Sequence, residues 1–334
     1  MGDYVVEYLP FDAADQEALA GFLALGREED GLHKAAANDG HRCYRLLLGR
    51  EPEPGGVAAA EATVARGIPL KALQRSFLDS PEFYEEIPRD RHEGVIAAWY
   101  AAHGPYASWR WGIRWFHCLA LPDGVTDGMR PVAHLRAEGE AVFAPMAPGG
   151  RVLDIGAWDG FFSFEAERRG AAEVLATDHF CWSGPGWGTK AGFDTAHRAL
   201  GSHVTSEDVD VFDLSPERQG MFDTVLFLGV LYHLTDPYGG LARAAAMTRD
   251  LLVVDTVTAC NHIDEPVMRH YEGDSLDRDA TNMFAPNTAC LASILRELGF
   301  SRIEVQRNPA CAEPPPKLTW SASSRDRHMV HAWR

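Results

Sequence analysis

Two segments in the second half of the chain carry residues of the types and spacing that bind a nucleoside cofactor with an amino-acid tail. The segment LDIGAWDG, from Leu153 to Gly160, places an acid and two glycines directly after an apolar run. Glycines allow a ligand to approach the backbone closely, and Asp154 can orient the loop or reach a ligand ammonium group through water. The second segment, EVLATD, ends in Asp178. This acid follows the loop by about twenty residues, the spacing expected of a partner for ribose hydroxyls.

A third acidic segment, DVDVFDL, supplies a candidate edge for adenine, formed by Asp210 and the backbone N–H of Val211. Gly156 and Gly160 are separated by three residues and do not form the GxGxxG fingerprint, which argues against NAD. The turn LGVLYHL completes the site. The candidate cofactor contacts are therefore Asp154, Gly156, Ala157, Trp158, Gly160, Asp178, His179, Asp210, Val211, Gly229 and Tyr232.

The elements that position these residues follow from an alternation of strands and helices after Gly150. Apolar runs predict strands at RVLDIG, EVLATD, FDTVLFLGVLYHL, DLLVVDTV, SRIEVQR and RHMVHAW, and helices are predicted at GFFSFEAERRG, DPYGGLARAAAMT and NTACLASILRELGF. This alternation predicts an α/β fold with a mostly parallel sheet covered by helices on both faces. Ligands of such sheets bind beyond the carboxyl ends of the strands, at the switch point.

The segments LDIGAWDGFFSFEAERRGAAEVLATD and FDTVLFLGVLYHLTDP closely resemble class I methyltransferases, which have a Rossmann-like fold. The resemblance covers roughly Trp109 to Arg334. It is closest to the branch that includes the tRNA wobble-uridine carboxymethyltransferases and many bacterial relatives associated with polysaccharide or natural-product pathways. It implies S-adenosylmethionine as the cofactor. One position departs from the family motif, because Trp158 stands where a glycine is usual, so its ring must point away from the cofactor or form a wall of its pocket.

Methyl transfer is an in-line displacement at a sulfonium carbon, so the protein mainly aligns the acceptor and removes a hydroxyl proton. His233 in LYHL is the first candidate for the general base, because the ordinary pKa of histidine is near neutrality. His117 in WFHC and His179 are rival candidates. Each of the three histidines is also consistent with a structural role. Tyr232 is interpreted as a pocket residue that contacts the cofactor tail or the substrate.

The resemblance also raises carboxymethyl transfer, in which a tyrosine, an arginine before the final strand and a lysine bind a carboxylated cofactor. Tyr232 and Arg327 match the first two positions, but no lysine occurs between Arg91 and Met146. A missing cation removes a charge-assisted contact of about 1.5 to 3 kcal/mol, which favours ordinary methyl transfer. Arg110 or Arg114 remain possible substitutes for the lysine.

The N-terminal part of the chain has apolar residues at three-to-four spacing, which predicts short helices from about Asp12 to Glu86. The string YRLLLGREPEPGG, followed by GIPLKALQRSFLDSPEF, resembles a small helical module of bacterial surface and adhesin-like proteins, which implies packing, protein docking or self-association. The following aromatic residues suit either a domain junction or the wall of an acceptor pocket. The sequence thus predicts a helical module over 1–90, a connecting or lid region over 91–146 and the cofactor-binding domain over 147–334.

Composition excludes several classes of protein. The net charge of −17 makes nucleic acid an unlikely partner, because Lys and Arg supply most affinity for phosphate. Six scattered cysteines lack the spacing of a zinc site, so no metal is predicted. No apolar run is long enough for a membrane helix and the N-terminus lacks a secretion signal, so the expected location is the cytoplasm.

These observations leave three hypotheses for the function. The leading one is methyl transfer to an oxygen or nitrogen of a small molecule or a sugar. The second is carboxymethyl transfer to a tRNA wobble uridine with a carboxylated cofactor. The third is a non-catalytic scaffold with a degenerate methyltransferase domain, against which the intact acids Asp154 and Asp178 argue.

Overall fold

The computed structural model describes residues 7–25, 34–78, 80–103, 115–122, 124–126, 128–130, 132–186, 188–277, 279–310 and 326–334. The chain divides into two compact units, Met1–Leu135 and Arg136–Arg334. The division falls inside a helix, Val132–Phe143. The finer division at 90 and 146 stays a prediction.

The described part of the first unit is mainly helical. The three-to-four spacing predicted at its start coincides with a helix that buries Leu19, Phe22 and Leu23. A π-helical turn, Cys43–Leu48, follows the short helix Asp39–Arg42. The helices are α1 (Ala13–Leu25), α2 (Asp39–Arg42), α3 (Pro54–Ala65), α4 (Leu70–Leu78), α5 (Pro81–Glu85) and α6 (Arg89–His103), and a short ladder joins β1 (Ala120–Leu121) to β2 (Gly124–Val125).

Two arginines connect the ends of the predicted helical module. Arg50 in the turn GREPEP donates to Glu53 at 2.6 Å and to Glu82 Oε2 at 2.8 Å, which joins this turn to α5. Arg91 in α6 is buried and donates to four backbone carbonyl oxygens. Gly49 leaves room for it, since a Cβ there would collide with the guanidinium. The turn GREPEP therefore has a structural role that needs no ligand.

The second unit is built on one sheet, whose described strands have the order β10-β11-β7-β6-β3-β4-β5. Every strand is parallel to its neighbour except β11, which is antiparallel to both β7 and β10. The strands are β3 (Arg151–Ile155), β4 (Glu173–Asp178), β5 (Thr205–Asp208), β6 (Phe222–Leu228), β7 (Thr248–Thr258), β10 (Arg302–Arg307) and β11 (Asp326–Trp333). This order and the single reversed strand confirm the predicted Rossmann-like fold.

Helices cover both faces of the sheet. On one face, Leu241 and Leu291 pack with Val254 and Val330 in one buried cluster. His331, the next residue after Val330, contacts the carbonyl oxygen of Val142 at 3.4 Å, and successive strand residues point to opposite faces. The helices of this part are α7 (Val132–Phe143), α8 (Phe161–Arg168), α9 (Ala191–Leu200), α10 (Pro216–Gln219), α11 (Pro237–Met247) and α12 (Thr288–Glu297).

A further short ladder, not predicted from the sequence, joins β8 (Met268–His270) to β9 (Phe284–Pro286). Three residues per strand are too few for the alternation that identifies a strand. The segment between these strands reaches the turn after β6, since the Met283 N–H donates to the Tyr232 carbonyl oxygen at 2.8 Å. Among the described helices, none has the length and apolarity needed to cross a membrane.

Candidate active site

The glycine loop after β3 is held against the end of β4 by backbone hydrogen bonds. The N–H groups of Gly156 and Ala157 both donate to the carbonyl oxygen of Thr177, at 2.8 and 3.0 Å. Gly156 has φ of 79° and Gly160 has φ of 85°, in the left-handed region that favours glycine. The loop therefore turns sharply at both glycines, and α8 begins directly after Gly160.

Side chains would also collide at these positions. A Cβ on Gly160 would lie 2.6 Å from the Phe193 ring and 2.7 Å from the Phe164 ring, and one on Gly156 would lie 2.5 Å from Val230. The loop thus lies close to α9 on one side and to the turn after β6 on the other. Both predicted glycines are required by the backbone and by their neighbours.

Replacing Gly160 with alanine is expected to lower the free energy of unfolding by about 2 to 4 kcal/mol, of which about 1 to 2 kcal/mol is left-handed strain and the rest is overpacking against two rings. Gly201→Ala is the matched control, because Gly201 also has positive φ but open space around its Cβ position. Guanidinium unfolding of both variants measures the difference. Equal losses of stability in the two variants would show that the Phe164 and Phe193 rings move aside without an energetic penalty.

Asp154, at the end of β3, is buried and accepts a hydrogen bond from Ser163 Oγ at 2.6 Å. Burial raises the pKa of this carboxyl to about 7, although the bond from Ser163 acts in the opposite direction. Ser163 lies in the first turn of α8. Asp154 thus joins β3 to α8 across the loop between them, and its role toward a ligand stays a prediction.

Asp178, at the end of β4, connects two loops. Its Oδ2 accepts the backbone N–H of Trp158 at 3.0 Å, and its Oδ1 accepts the N–H of Cys181 at 2.9 Å. Burial raises the pKa of this carboxyl, and the two N–H groups oppose that effect. Each carboxylate oxygen keeps acceptor capacity for a further hydroxyl group. Gly156 and Asp178 therefore lie at the same edge of the sheet, as predicted.

Trp158 has φ of 47°, which is uncommon for a bulky residue. Its carbonyl oxygen accepts the indole N–H of Trp182 at 2.8 Å. A Cβ on Gly188 would lie 2.8 Å from Trp158 Nε1, so the ring packs against the loop after β4. This loop and the glycine loop thus stabilise each other, which explains how a tryptophan is accommodated at this position.

Asp210 lies beyond the end of β5, and its side chain accepts the N–H of Phe212 at 2.9 Å, which caps the short helix Val211–Asp213. The Val209 N–H donates to the carbonyl oxygen of Asp178 at 3.2 Å. The predicted adenine edge is thereby adjacent to the predicted ribose acid.

His179 is partly exposed, and its Nδ1 lies 2.9 Å from Asp208 Oδ1 and 3.2 Å from Ser183 Oγ. Both partners meet the same ring nitrogen, so the three groups do not form a Ser-His-Asp relay, which needs one partner on each nitrogen. His179 therefore joins the ends of β4 and β5.

The hydrogen bond with Asp208 raises the pKa of His179 above its ordinary value. In an Asp208→Asn variant we expect the pKa to return toward 6.5, because the charged acceptor that favours imidazolium is lost. Proton NMR titration of the assigned His179 ring measures both values. An unchanged midpoint would mean that the pair does not form in solution.

The turn after β6 brings a buried polar network to the same edge. The Gly229 N–H donates to the Asp255 carbonyl oxygen at 2.8 Å. Tyr232 OH accepts from Arg327 at 3.2 Å, and Arg327 also donates to Asp255 Oδ1, with Nε at 3.0 Å. Burial opposes the charge of Arg327, but Asp255 outweighs it and holds the guanidinium pKa above its usual range. Arg327 is the second residue of β11, the strand predicted at RHMVHAW.

The residues behind this arginine were not predicted from the sequence. Asn308 Nδ2 donates to Asp255 Oδ2 and to Glu138 Oε1, both at 2.7 Å. Asp255, Asn308 and Glu138 are all buried. Asp255 alone had a usable signal, because it is an acid inside the apolar run LLVVDTV. A buried charge in such a run needs a partner, and the partner is Arg327.

His233 lies in the short helix Leu231–His233, and its Nδ1 is 3.1 Å from the Thr281 carbonyl oxygen and 2.9 Å from Thr281 Oγ1. Burial lowers the pKa of His233 to about 4, and the Thr281 carbonyl oxygen opposes that shift. The imidazole is therefore neutral at neutral pH. His117 belongs to the first unit and its role stays a prediction, whereas Arg110 and Arg114 lie outside the described residues.

No protein-family model matches the chain. The chain is 25% identical over 277 residues to a tRNA U34 carboxymethyltransferase of Cellvibrio japonicus, which covers 77% of this chain and 76% of that protein. It is 28% identical over 160 residues to the tRNA U34 carboxymethyltransferase of Pseudomonas aeruginosa. That match spans 46% of this chain and 45% of the relative, so it covers less than half of the relative's length.

Solved structures with a similar fold include the N-terminal domain of EvdMO1, determined in the presence of SAH and D-fucose. It is 20% identical, with a TM-score of 0.48, covering 66% of this chain and 91% of that one. Another is the Burkholderia thailandensis 1,6-didemethyltoxoflavin-N1-methyltransferase with bound 1,6-didemethyltoxoflavin and S-adenosylhomocysteine. It is 19% identical, with a TM-score of 0.44, and covers 60% of this chain and 78% of that one. At these values the likeness concerns the fold alone.

Proposed function

We propose that this chain, a class I methyltransferase by its fold and sequence resemblance, transfers the methyl group of S-adenosylmethionine to an oxygen or nitrogen of a small molecule or a sugar. One observation carries the proposal. The glycine loop and Asp178 lie at the same edge of the parallel sheet, and the Trp158 N–H donates to Asp178 Oδ2 at 3.0 Å. A nucleoside bound at that edge would contact both the Asp178 carboxylate and a backbone that the glycines leave accessible.

The residues at this edge fit such a cofactor. Any side chain on Gly156 or Gly160 would fill space next to the loop, and the acid at the end of β4 suits ribose hydroxyls. Asp210 and Val211 are the proposed partners of adenine, and Gly229 and Tyr232 those of the amino-acid tail. Ala157 and Trp158 complete the proposed wall, with His179 at its exposed side.

Bound S-adenosylmethionine supplies an electrophilic methyl group, which the acceptor's lone pair attacks as the carbon–sulfur bond breaks and leaves its electrons on sulfur. The chain aligns the acceptor and removes its proton. His233 is the proposed base, because its turn adjoins the glycine loop through Val230 and its imidazole is neutral at neutral pH. His179 lies at the exposed end of β4 and is the less favoured candidate.

Isothermal titration of the full chain with S-adenosylhomocysteine is the first test, and micromolar binding is expected. Release of S-adenosylhomocysteine from S-adenosylmethionine, measured with a panel of sugars, phenols and amines, then identifies the acceptor class. Absence of S-adenosylhomocysteine binding would contradict the proposal. Binding with no turnover on any acceptor would favour the scaffold hypothesis.

A second candidate function, carboxymethyl transfer to tRNA, is favoured by one contact. Tyr232 and Arg327, which the resemblance assigns to the carboxylate of the cofactor, are hydrogen-bonded to each other. The curated relatives are tRNA U34 carboxymethyltransferases. The net charge of −17 opposes a tRNA partner. Tighter binding of the carboxylated cofactor, with tRNA binding that falls steeply with salt, would favour this alternative.

A further inference from the structure

The ring of His233 meets two oxygens of one residue. Its Nδ1 lies 3.1 Å from the carbonyl oxygen of Thr281 and 2.9 Å from the hydroxyl oxygen of the same residue. A carbonyl oxygen accepts hydrogen bonds and never donates them. The contact with the carbonyl therefore requires that Nδ1 carries a hydrogen.

The hydroxyl contact has the same requirement, because Thr281 Oγ1 lies 2.7 Å from Asp279 Oδ1. An ionised carboxylate only accepts, so the hydroxyl hydrogen of Thr281 points to Asp279. The oxygen of that hydroxyl is then an acceptor on the side of His233. Both oxygens accept the same Nδ1 hydrogen, and each of them adds to the preference for this one tautomer of the ring.

The segment that supplies these oxygens is fixed in place. The Thr281 backbone N–H donates to Asp279 Oδ1 at 2.9 Å, and the Asn282 N–H donates to the Asp279 carbonyl oxygen at 3.0 Å. The Met283 N–H bonds to the carbonyl oxygen of Tyr232. Thr281 is therefore held beside the ring by its own segment and by the turn that carries His233.

A neutral imidazole has a single ring N–H, so a hydrogen on Nδ1 places the lone pair on Nε2. Burial keeps the ring in this neutral form, since it lowers the pKa of His233 to about 4. Among the neighbouring charged groups, Asp279 favours and Arg327 disfavours the protonated ring. A base needs a lone pair at a defined atom, and the tautomer supplies it.

We propose that Asp279 and Thr281 are positioning residues that hold His233 in the Nδ1–H tautomer, so that Nε2 receives the proton of the methyl acceptor. This proposal rests on the proposed function and names the acceptor class more closely. As the acceptor's lone pair forms the bond to the methyl carbon, the carbon–sulfur bond breaks and leaves its electrons on sulfur. The O–H or N–H proton of the acceptor passes to Nε2, and the imidazolium later releases that proton to water. The acceptor atom is therefore a hydroxyl or an N–H group and not a carboxylate.

The test is ring-nitrogen NMR of the full chain with 15N-labelled histidine, with S-adenosylhomocysteine added and His233 assigned by comparison with His233→Gln. We expect a protonated Nδ1 and an unprotonated Nε2 at neutral pH. In Thr281→Val, which keeps the shape but removes the hydroxyl, the Nε2–H tautomer should become a measurable fraction, and likewise in Asp279→Asn. Thr63→Val, on the exposed face of α3, is the matched control and should change nothing.

An Nε2–H ring in the unaltered chain would overturn the proposal, and so would an unchanged tautomer in both Thr281→Val and Asp279→Asn. With an acceptor from the panel, Thr281→Val should lower kcat about tenfold and leave KM and the affinity for S-adenosylhomocysteine unchanged. The tautomer is read without turnover. Failure of S-adenosylhomocysteine to bind would therefore defeat the proposed function while the nitrogen spectrum still decides this inference.

Discussion

Replacing Asp178 with alanine is expected to weaken the binding of S-adenosylhomocysteine at least tenfold, about 1.4 kcal/mol, while the chain remains folded. Two effects add. The proposed partner of the ribose hydroxyls is removed, and the N–H groups of Trp158 and Cys181 lose the carboxylate that holds their loops together. Isothermal titration measures the dissociation constant, and far-UV circular dichroism checks the fold.

Glu173→Ala is the matched control, because Glu173 is the first residue of β4, as Asp178 is its last. Glu173 forms an exposed ion pair with Arg151, and its loss should leave the dissociation constant within a factor of two. An unchanged dissociation constant in Asp178→Ala would mean that this acid neither contacts the ligand nor holds the two loops in the conformation that binds it.

Asp255→Ala is expected to lower the free energy of unfolding by about 3 to 5 kcal/mol, because it leaves the largely buried charge of Arg327 without its carboxylate partner. Asn308 loses an acceptor at the same time. Guanidinium unfolding, followed by far-UV circular dichroism, measures the loss. Replacing both charged residues, in Asp255→Ala/Arg327→Met, should recover part of the stability, since no unpaired charge remains.

The control for this pair is Glu304→Ala, which breaks the exposed ion pair between Arg302 and Glu304 in β10. Exposed pairs contribute about 0 to 1 kcal/mol, so this variant should unfold close to the unaltered chain. Similar losses in Asp255→Ala and Glu304→Ala would show that the buried pair contributes no more than a surface contact.

The sheet and the position of the loop could be predicted from the sequence because both depend on local signals. Apolar runs ending in an acid marked β3 and β4, and parallel strands place their carboxyl ends at one edge, which brought Gly156 and Asp178 together. Arg327 and Tyr232 were paired through the family resemblance, and the structure places them in hydrogen-bond contact. Of the predicted bases, His179 bonds to Asp208, and its role as a base stays a prediction.

The remaining parts of the site depend on contacts between distant segments. Thr281 is 48 residues from His233, and Asn308 is 170 residues from Glu138, so no spacing in the sequence connects them. The β8–β9 ladder that frames Thr281 is too short for a periodic pattern. The positions of Thr281 beside His233 and of Asn308 beside Glu138 therefore could not be predicted from the sequence.

Because β11 runs antiparallel to β7, the first residues of β11 and the last residues of β7 lie at the same edge of the sheet, where the cofactor site is proposed. Arg327 is opposite Val257, near the end of β7, whereas Trp333 is opposite Leu251, near the start. Substitutions that disturb ligand affinity should therefore become milder along β11 in the direction of the chain and more severe along β7. Titrations of S-adenosylhomocysteine into a series of variants along both strands would show two opposite gradients of affinity.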